Sequence, residues 1–436
     1  MRLIHTSDWH LGQHFMGRTR TEEHRSFLNW LLELVTTRRA DALVVAGDIF
    51  DTGTPPSYAR TLYNEFIVSL RDTGCCQALV LGGNHDSEAT LNEARSLLAV
   101  LNTRVAAGVS RTPQDHVMVM KTHDDSPGLI VCAVPFIRPR DMVKSMAGQT
   151  GADKQTAMGR AIREFYTRVF EAAKTEQAAL ASGPEGRVLP IMATGHLTVV
   201  GGKASESVRD IYIGTLDAFP ASGFPAVDYL ALGHLHQAQQ IKNLDHIRYS
   251  GSPIPLSFDE GAGEKQVLQV DFKDGALEAV TPVPVPCFRR LISLKGSLEQ
   301  IESGIGELVR EVRAAAPERS LWLEAEVAVD DFLSDLQDRV QAMIPTELRS
   351  KMVLLRVRRH RRQHAPGLVP RAGERLEELS PKEVFSRRLA LEELDVDQTR
   401  VMTTLFSEIL EQVRTGERDP GKTQTPDRDA SGEAAE

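Results

Sequence analysis

Four times before residue 240, a short apolar run ends in glycine followed by a residue that can bind metal. Ala42-Leu43-Val44-Val45-Ala46 leads to Gly47-Asp48, and Ala78-Leu79-Val80-Leu81 leads to Gly82-Gly83-Asn84-His85-Asp86. Pro190-Ile191-Met192-Ala193-Thr194 leads to Gly195-His196, and Tyr229-Leu230-Ala231-Leu232 leads to Gly233-His234-Leu235-His236. Runs without polar alternation are what strands buried on both faces look like. Helical stretches lie between them, over 22–37 and 57–70, and this alternation predicts an α/β domain. The polar residues fall just past the strand ends, where open α/β sheets place their sites. Glycine at these turns permits a close approach that a Cβ would obstruct.

At 436 residues the chain has room for two or three domains, and 41% hydrophobic with 25% charged content excludes a disordered or fibrous chain. No apolar run approaches the roughly 20 residues of a membrane helix, and the first residues turn polar without a signal-peptide core. Four cysteines make neither a CxxC pair nor a disulfide framework, so the expected compartment is the reduced cytoplasm. Cys75 and Cys76 read as small buried residues rather than nucleophiles.

A strand over 265–272 and the prolines Pro282, Pro284 and Pro286 mark a boundary, giving an expected catalytic domain over 1–280. Residues 281–364 read as a compact β-α-β-α-β unit without clustered Asp or His, suited to shaping access. Over 365–414 a Pro/Gly linker leads into a helical pair. Ser380-Pro381-Lys382-Glu383 carries helix-start signals, and Val401, Leu405, Ile409 and Val413 form one apolar stripe. That stripe either packs on its own domain or docks a partner. The tail, 415–436, is polar and expected to be disordered.

Asp8-Trp9-His10 and His234-Leu235-His236 each carry donors two residues apart, which on an extended strand face one side and reach one ion. Asp48, Asn84 and His196 complete a set of two carboxylates, one amide and four imidazoles. Oxygen and nitrogen donors without thiolate suit Mn, Fe, Zn or similar divalent ions. Seven donors exceed what one ion uses, whereas two ions about 3.5–4 Å apart could share them. Asp48, anionic and alone after its strand, is the expected bridge. Such a pair binds a phosphate oxygen and lowers the pKa of a shared water, which is the chemistry of phosphoester hydrolysis. Each element alone reads as a turn aspartate or a core histidine; their joint occurrence after apolar runs carries the inference.

In order, Asp8-x-His10, Gly47-Asp48, Gly83-Asn84-His85-Asp86, Gly195-His196 and Gly233-His234-x-His236 resemble the calcineurin-like metallophosphoesterase signature. Longer stretches over 5–12, 50–56, 208–217 and 250–260 resemble the DNA-repair nucleases within that family, and the likeness runs to about Thr415. The resemblance implies an α+β sandwich core with a smaller α/β capping domain and C-terminal helices. It implies Mn²⁺-dependent exonuclease action on duplex ends and endonuclease action on hairpins and single strands. One ion would take Asp8, His10, Asp48 and His236, and the other Asp48, Asn84, His196 and His234. His85 would assist without being a ligand, stabilising the transition state or protonating the departing 3′-oxygen, with Asp86 orienting that region. His5 would be structural. The implied partners are DNA and an ATPase subunit with a long coiled coil, which helices between 380 and 413 would dock. The implied assembly is a heterotetramer built on a homodimer, with no membrane. The one match to Gly-x-x-x-x-Gly-Lys-[Ser/Thr], residues 416–423, falls in the polar tail with no strand-like run before it, so ATP dependence would come from the ATPase partner.

Two questions stay open. Net charge is −9, yet no acid interrupts the basic run over 349–371. Arg358, Arg359, Arg361 and Arg362 either hold DNA phosphates or form a solvated strand end. The same ligands would also serve a small-molecule phosphodiesterase or phosphomonoesterase. A catalytically silent DNA-binding scaffold is a further alternative, though it has no chemical need for seven donors and His85.

Overall fold

Strand and helix alternate from the first residues because each apolar run has two faces to bury. In the computed structural model, β1 (Arg2–Thr6), β2 (Ala42–Val45), β3 (Gln77–Leu81) and β4 (Thr103–Ala106) lie parallel, with α1 (Thr21–Arg38) and α2 (Ser57–Leu70) in the connections. The chain then builds a second sheet from β5 (Val117–Lys121), β6 (Pro127–Cys132), β7 (Ile191–His196), β8 (Tyr229–Gly233), β9 (Gln239–Ile241) and β10 (Leu244–Tyr249). Its order is β9-β10-β8-β7-β6-β5, and helix α3 (Gly151–Ala181) precedes β7. Finally β11 (Gln266–Lys273) returns antiparallel to β1 and, with β12 (Ala276–Pro284), completes the first sheet as β12-β11-β1-β2-β3-β4.

Alternate residues of each strand go to opposite layers. Ala42 and Val44 of β2 join Leu79, Val131, Met192 and Ala231 between the two sheets. Leu43 and Val45 pack instead with Phe27 and Leu31 of α1 and Phe66 of α2. On the far side, Ile130 and Leu230 meet Ile162, Phe165 and Val169 of α3. The result is a helix–sheet–sheet–helix sandwich, in which fully burying each such side chain contributes about 1.5–3 kcal/mol.

A third sheet follows in the order β13 (Arg290–Gly296), β14 (Leu321–Ala328), β15 (Met352–His360), with α4 (Leu298–Ala314) and α5 (Leu336–Ala342) between its strands. It belongs to the same compact unit as the sandwich, Met1–Ala328 with Phe332–Arg359; the second unit is Val329–Asp331 with His360–Glu436. Trp322 of β14 stacks on Phe15 at 5.5 Å, and the Arg289 guanidinium lies 4.6 Å from the centre of the Trp322 ring. Glu23 accepts from Arg289 Nε at 2.9 Å and also from Arg20.

The structure describes residues 1–142, 150–183, 186–208, 218–241, 244–314, 320–328 and 335–360, together with Phe385, Leu389, Met402, Thr403, Leu405 and Phe406. Phe385 and Phe406 stack at 3.9 Å, and Leu405 is exposed. The rest of the helical pair, with Val401, Ile409 and Val413, lies outside the described residues, as do Arg361, Arg362, 209–217 and the tail 415–436. No described helix is long and apolar enough to cross a membrane.

Candidate metal centre

The C-terminal ends of β1, β2, β3, β7 and β8 carry the predicted donors, and the structure brings them together. Beyond the strand ends the first two loops stay zipped: Asp8 N donates to the Gly47 carbonyl at 3.0 Å, and His10 N to that of Asp48 at 3.1 Å. Ligand atoms of Asp8, His10 and His236 lie within 4.8 Å of one another, as do those of Asp48, His196 and His234. Asp48 Oδ2 faces both groups, 3.6 Å from His10 Nε2 and 3.1 Å from His196 Nε2. Asn84 Oδ1 lies 2.9 Å from His196 Nε2.

The backbone corrects the extended-strand argument. β1 ends at Thr6, and Asp8 (φ 54°), His10 (φ 46°), Asp48 (φ 50°) and His234 (φ 99°) have positive φ, uncommon for residues with a side chain. Asp8 and His10 share a group through these turns rather than through strand alternation. His234 and His236, at the same spacing, separate into different groups. Glycine makes the approach possible: a Cβ on Gly47 would sit 2.3 Å from His196 Nδ1, and one on Gly83 2.1 Å from Asp48 Oδ1.

Three of the rings have Nδ1 against an acceptor: His10 on Asp51 Oδ1 at 3.2 Å, His196 on the Ala46 carbonyl at 2.9 Å, and His236 on Ser207 Oγ at 2.5 Å. Each Nδ1 therefore carries the hydrogen, and a neutral ring offers its lone pair at Nε2. His10 Nε2 is buried with no hydrogen-bond partner among the described residues. A bare lone pair on His196 Nε2 would confront two oxygens, Asn84 Oδ1 and Asp48 Oδ2. A proton on Nε2 or a metal ion relieves that crowding, and with His10 Nε2 bare on the other side of Asp48 the donor set fits divalent ions.

Titration follows the same crowding. Burial pushes His196 down, but the charge of Asp48 and its hydrogen bond outweigh it and carry the ring up to about 9. Burial likewise opposes charge on Asp48, yet His196, His10 and His85 hold the carboxyl well below its usual range. Burial and the charge of His196 keep His234 neutral, well below the usual histidine range.

His85 Nδ1 lies 2.7 Å from the Asp51 carbonyl, and its backbone N donates to Asp48 Oδ1 at 2.9 Å. Asp86 accepts from Ile49 N at 3.1 Å, Phe50 N at 3.0 Å and Gly83 N at 2.8 Å, pinning its loop to the one after β2. Burial and Asp48 push its carboxyl up to about 6 against those donors. His5 is buried between the sheets, 2.9 Å from the Tyr229 hydroxyl, and burial takes it down to about 3. Cys75 and Cys76 are half-buried rather than buried, and burial raises both, Cys75 to about 12. Arg358 forms an ion pair with Glu324 at 3.0 Å. Sequence reasoning missed Asp51, Ser207, Glu260 and Lys265; the last three form a linked group behind His236 in which Glu260 is buried.

Two family models match the chain: calcineurin-like phosphoesterase over residues 1–141, and type 5 capsule protein repressor C-terminal domain (SbcD_C) over residues 287–393. The chain is 49% identical to SbcD of the nuclease SbcCD from Escherichia coli K12, covering 94% of this chain and 98% of that one. Identity to the protein of the same name from Rhodobacter capsulatus is 33%, covering 79% and 85% of the two chains. For that of Bacillus subtilis it is 30%, covering 77% and 81%.

Proposed function

This chain belongs to the SbcD family of the SbcCD nucleases, metal-dependent nucleases on a calcineurin-like phosphoesterase fold, and we propose that it hydrolyses DNA at a centre for two divalent ions, Mn²⁺ foremost. What carries the reading is the sharing of Asp48, whose Oδ2 lies 3.6 Å from His10 Nε2 and 3.1 Å from His196 Nε2. Asp8, His10, Asp48 and His236 would hold one ion, and Asp48, Asn84, His196 and His234 the other. When bound, such ions polarise the phosphate and supply an activated water.

The chain's own residues then position and protonate. The Asp51 carbonyl keeps a hydrogen on His85 Nδ1, so Nε2 is the nitrogen that gains and gives the second proton, toward the departing 3′-oxygen. Asp86 holds the two loops in register through its three backbone donors. Duplex ends, hairpins and single strands are the substrates we assign. We place the enzyme in the cytoplasm, with an SbcC-like coiled-coil ATPase on the helices of 380–413 and a homodimer within a heterotetramer.

The test is cleavage of an end-labelled hairpin and a linear duplex, with Mn²⁺ or EDTA, with and without the ATPase partner and ATP. Wild type should cleave and EDTA abolish it. His85→Gln should lower kcat about 10²–10⁴-fold while both ions stay bound. A wild type that hydrolyses a small phosphodiester but leaves both DNAs intact would overturn the DNA reading and keep the metal centre.

A further inference from the structure

Behind His236 runs a polar chain, half-buried at Ser207 and Lys265 and buried at Glu260, that the reaction above does not use. Ser207 has one hydroxyl hydrogen and gives it to Glu260 Oε1, so at 2.5 Å its oxygen accepts from His236 Nδ1. Glu260 Oε1 also takes the Ser205 hydroxyl at 2.7 Å and that of Ser257 at 3.2 Å. Its Oε2 takes Lys265 Nζ at 2.5 Å, Leu256 N at 3.1 Å and Ser252 Oγ at 3.2 Å. The Glu260 side chain is fully buried, and Lys265 reaches past it to donate to the His236 carbonyl at 3.1 Å. The ion pair thus grips the ring at one end and the main chain at the other.

A buried ion pair is weak support for stability, since an apolar pair of equal volume holds a turn at least as well. Its position points to a use instead. His10 is backed by a carboxylate and His196 by a neutral carbonyl, whereas His236 Nδ1 has the Ser207 hydroxyl at 2.5 Å with Glu260 behind it, the carboxylate itself 3.4 Å from that nitrogen.

We propose that Glu260 is a positioning residue that, through Ser207, fixes the Nδ1–H tautomer of His236 and strengthens its Nε2 as an ion ligand. This rests on the reading of His236 as a ligand. It is tested by Mn²⁺ titration of the full chain, following free Mn²⁺ by electron paramagnetic resonance, alongside thermal melting without metal. Ser207→Ala and Glu260→Gln should each weaken one of two binding steps about 10–100-fold and spare the other. The double variant should be no worse than the worse single one, because both cut the same chain. Ser207→Thr, which keeps the hydroxyl, should bind as wild type does. Glu260→Gln leaves Lys265 buried without its charge partner, so if it fails to fold, Ser207→Ala decides.

His236→Ala separates the two claims. If it loses one ion while Ser207→Ala and Glu260→Gln bind both at full affinity, the relay is overturned and the metal centre stands. If His236→Ala itself keeps both ions at full affinity, the ligand reading fails and the relay with it. Equal weakening of both steps, with a lower melting temperature, would make the chain merely structural and overturn the proposal.

Discussion

Gly83 illustrates how closely this centre is built. Its backbone passes so near Asp48 that a Cβ would meet Oδ1 at 2.1 Å and the Asp48 nitrogen at 2.3 Å. Gly83 is not in the left-handed region, so alanine there meets a contact rather than a dihedral penalty. The contact has no soft side to yield, since Asp48 Oδ1 already accepts from His85 N at 2.9 Å. Gly83→Ala should therefore displace the carboxylate that faces both donor groups. We expect weakened Mn²⁺ binding, lost cleavage and a stability cost of about 1–3 kcal/mol, read by metal titration and denaturant unfolding. Left-handed backbone at Asp8, His10, Asp48 and His234 belongs to the same economy: it aims side chains that an extended strand would send elsewhere.

At the scale of elements, the third sheet is held to the sandwich by a few large groups. Trp322 is 3% exposed, stacks on Phe15 and lies beneath both Arg289 and Arg20. Trp322→Ala should cost about 3–5 kcal/mol, measured as a lower unfolding midpoint. Gly306, within α4, is the converse case: a Cβ there meets nothing within 4 Å. Gly306→Ala should raise stability by about 0.5–1 kcal/mol in the same measurement. These elements differ in how plainly the sequence announces them. Apolar runs at 42–46, 78–81 and 229–232 pointed to β2, β3 and β8 because strands buried on both faces leave no polar alternation. The helix over 57–70 and the β-α-β-α-β order of the third sheet were legible from period alone. That the strands divide between two sheets was not, since strand pairing is decided by packing of residues far apart in the chain. The donor types were legible because all of them fall at the ends of five apolar runs. Glu260 was not, because its meaning lies in Ser207 and His236, 53 and 24 positions away, and the first of these contacts exists only in space.

Across the whole molecule, a net charge of −9 repels a polyanion, so the DNA proposed as substrate would have to be held by local positive charge. The run over 349–371 is the plainest source, but its charges are not all available. Arg356 and Arg358 both reach Glu324, at 2.5 and 3.0 Å, and that carboxylate is buried in β14. Pulling Arg358 onto a phosphate would strip a buried carboxylate of one of its two cations, so we expect it to stay. Each phosphate contact adds about 0.9 to the slope of log affinity against log salt on duplex DNA. Replacing Arg358, Arg359, Arg361 and Arg362 together with glutamine should flatten that slope by about 0.9 for each of them that holds a phosphate, and by less than the value for four. Arg358→Gln alone should leave it unchanged. Fluorescence anisotropy on a labelled duplex in EDTA, where nothing is cleaved, measures both. A slope unmoved in the fourfold variant would assign the run to a solvated strand end and send the search for the DNA track to the rim of the metal centre itself.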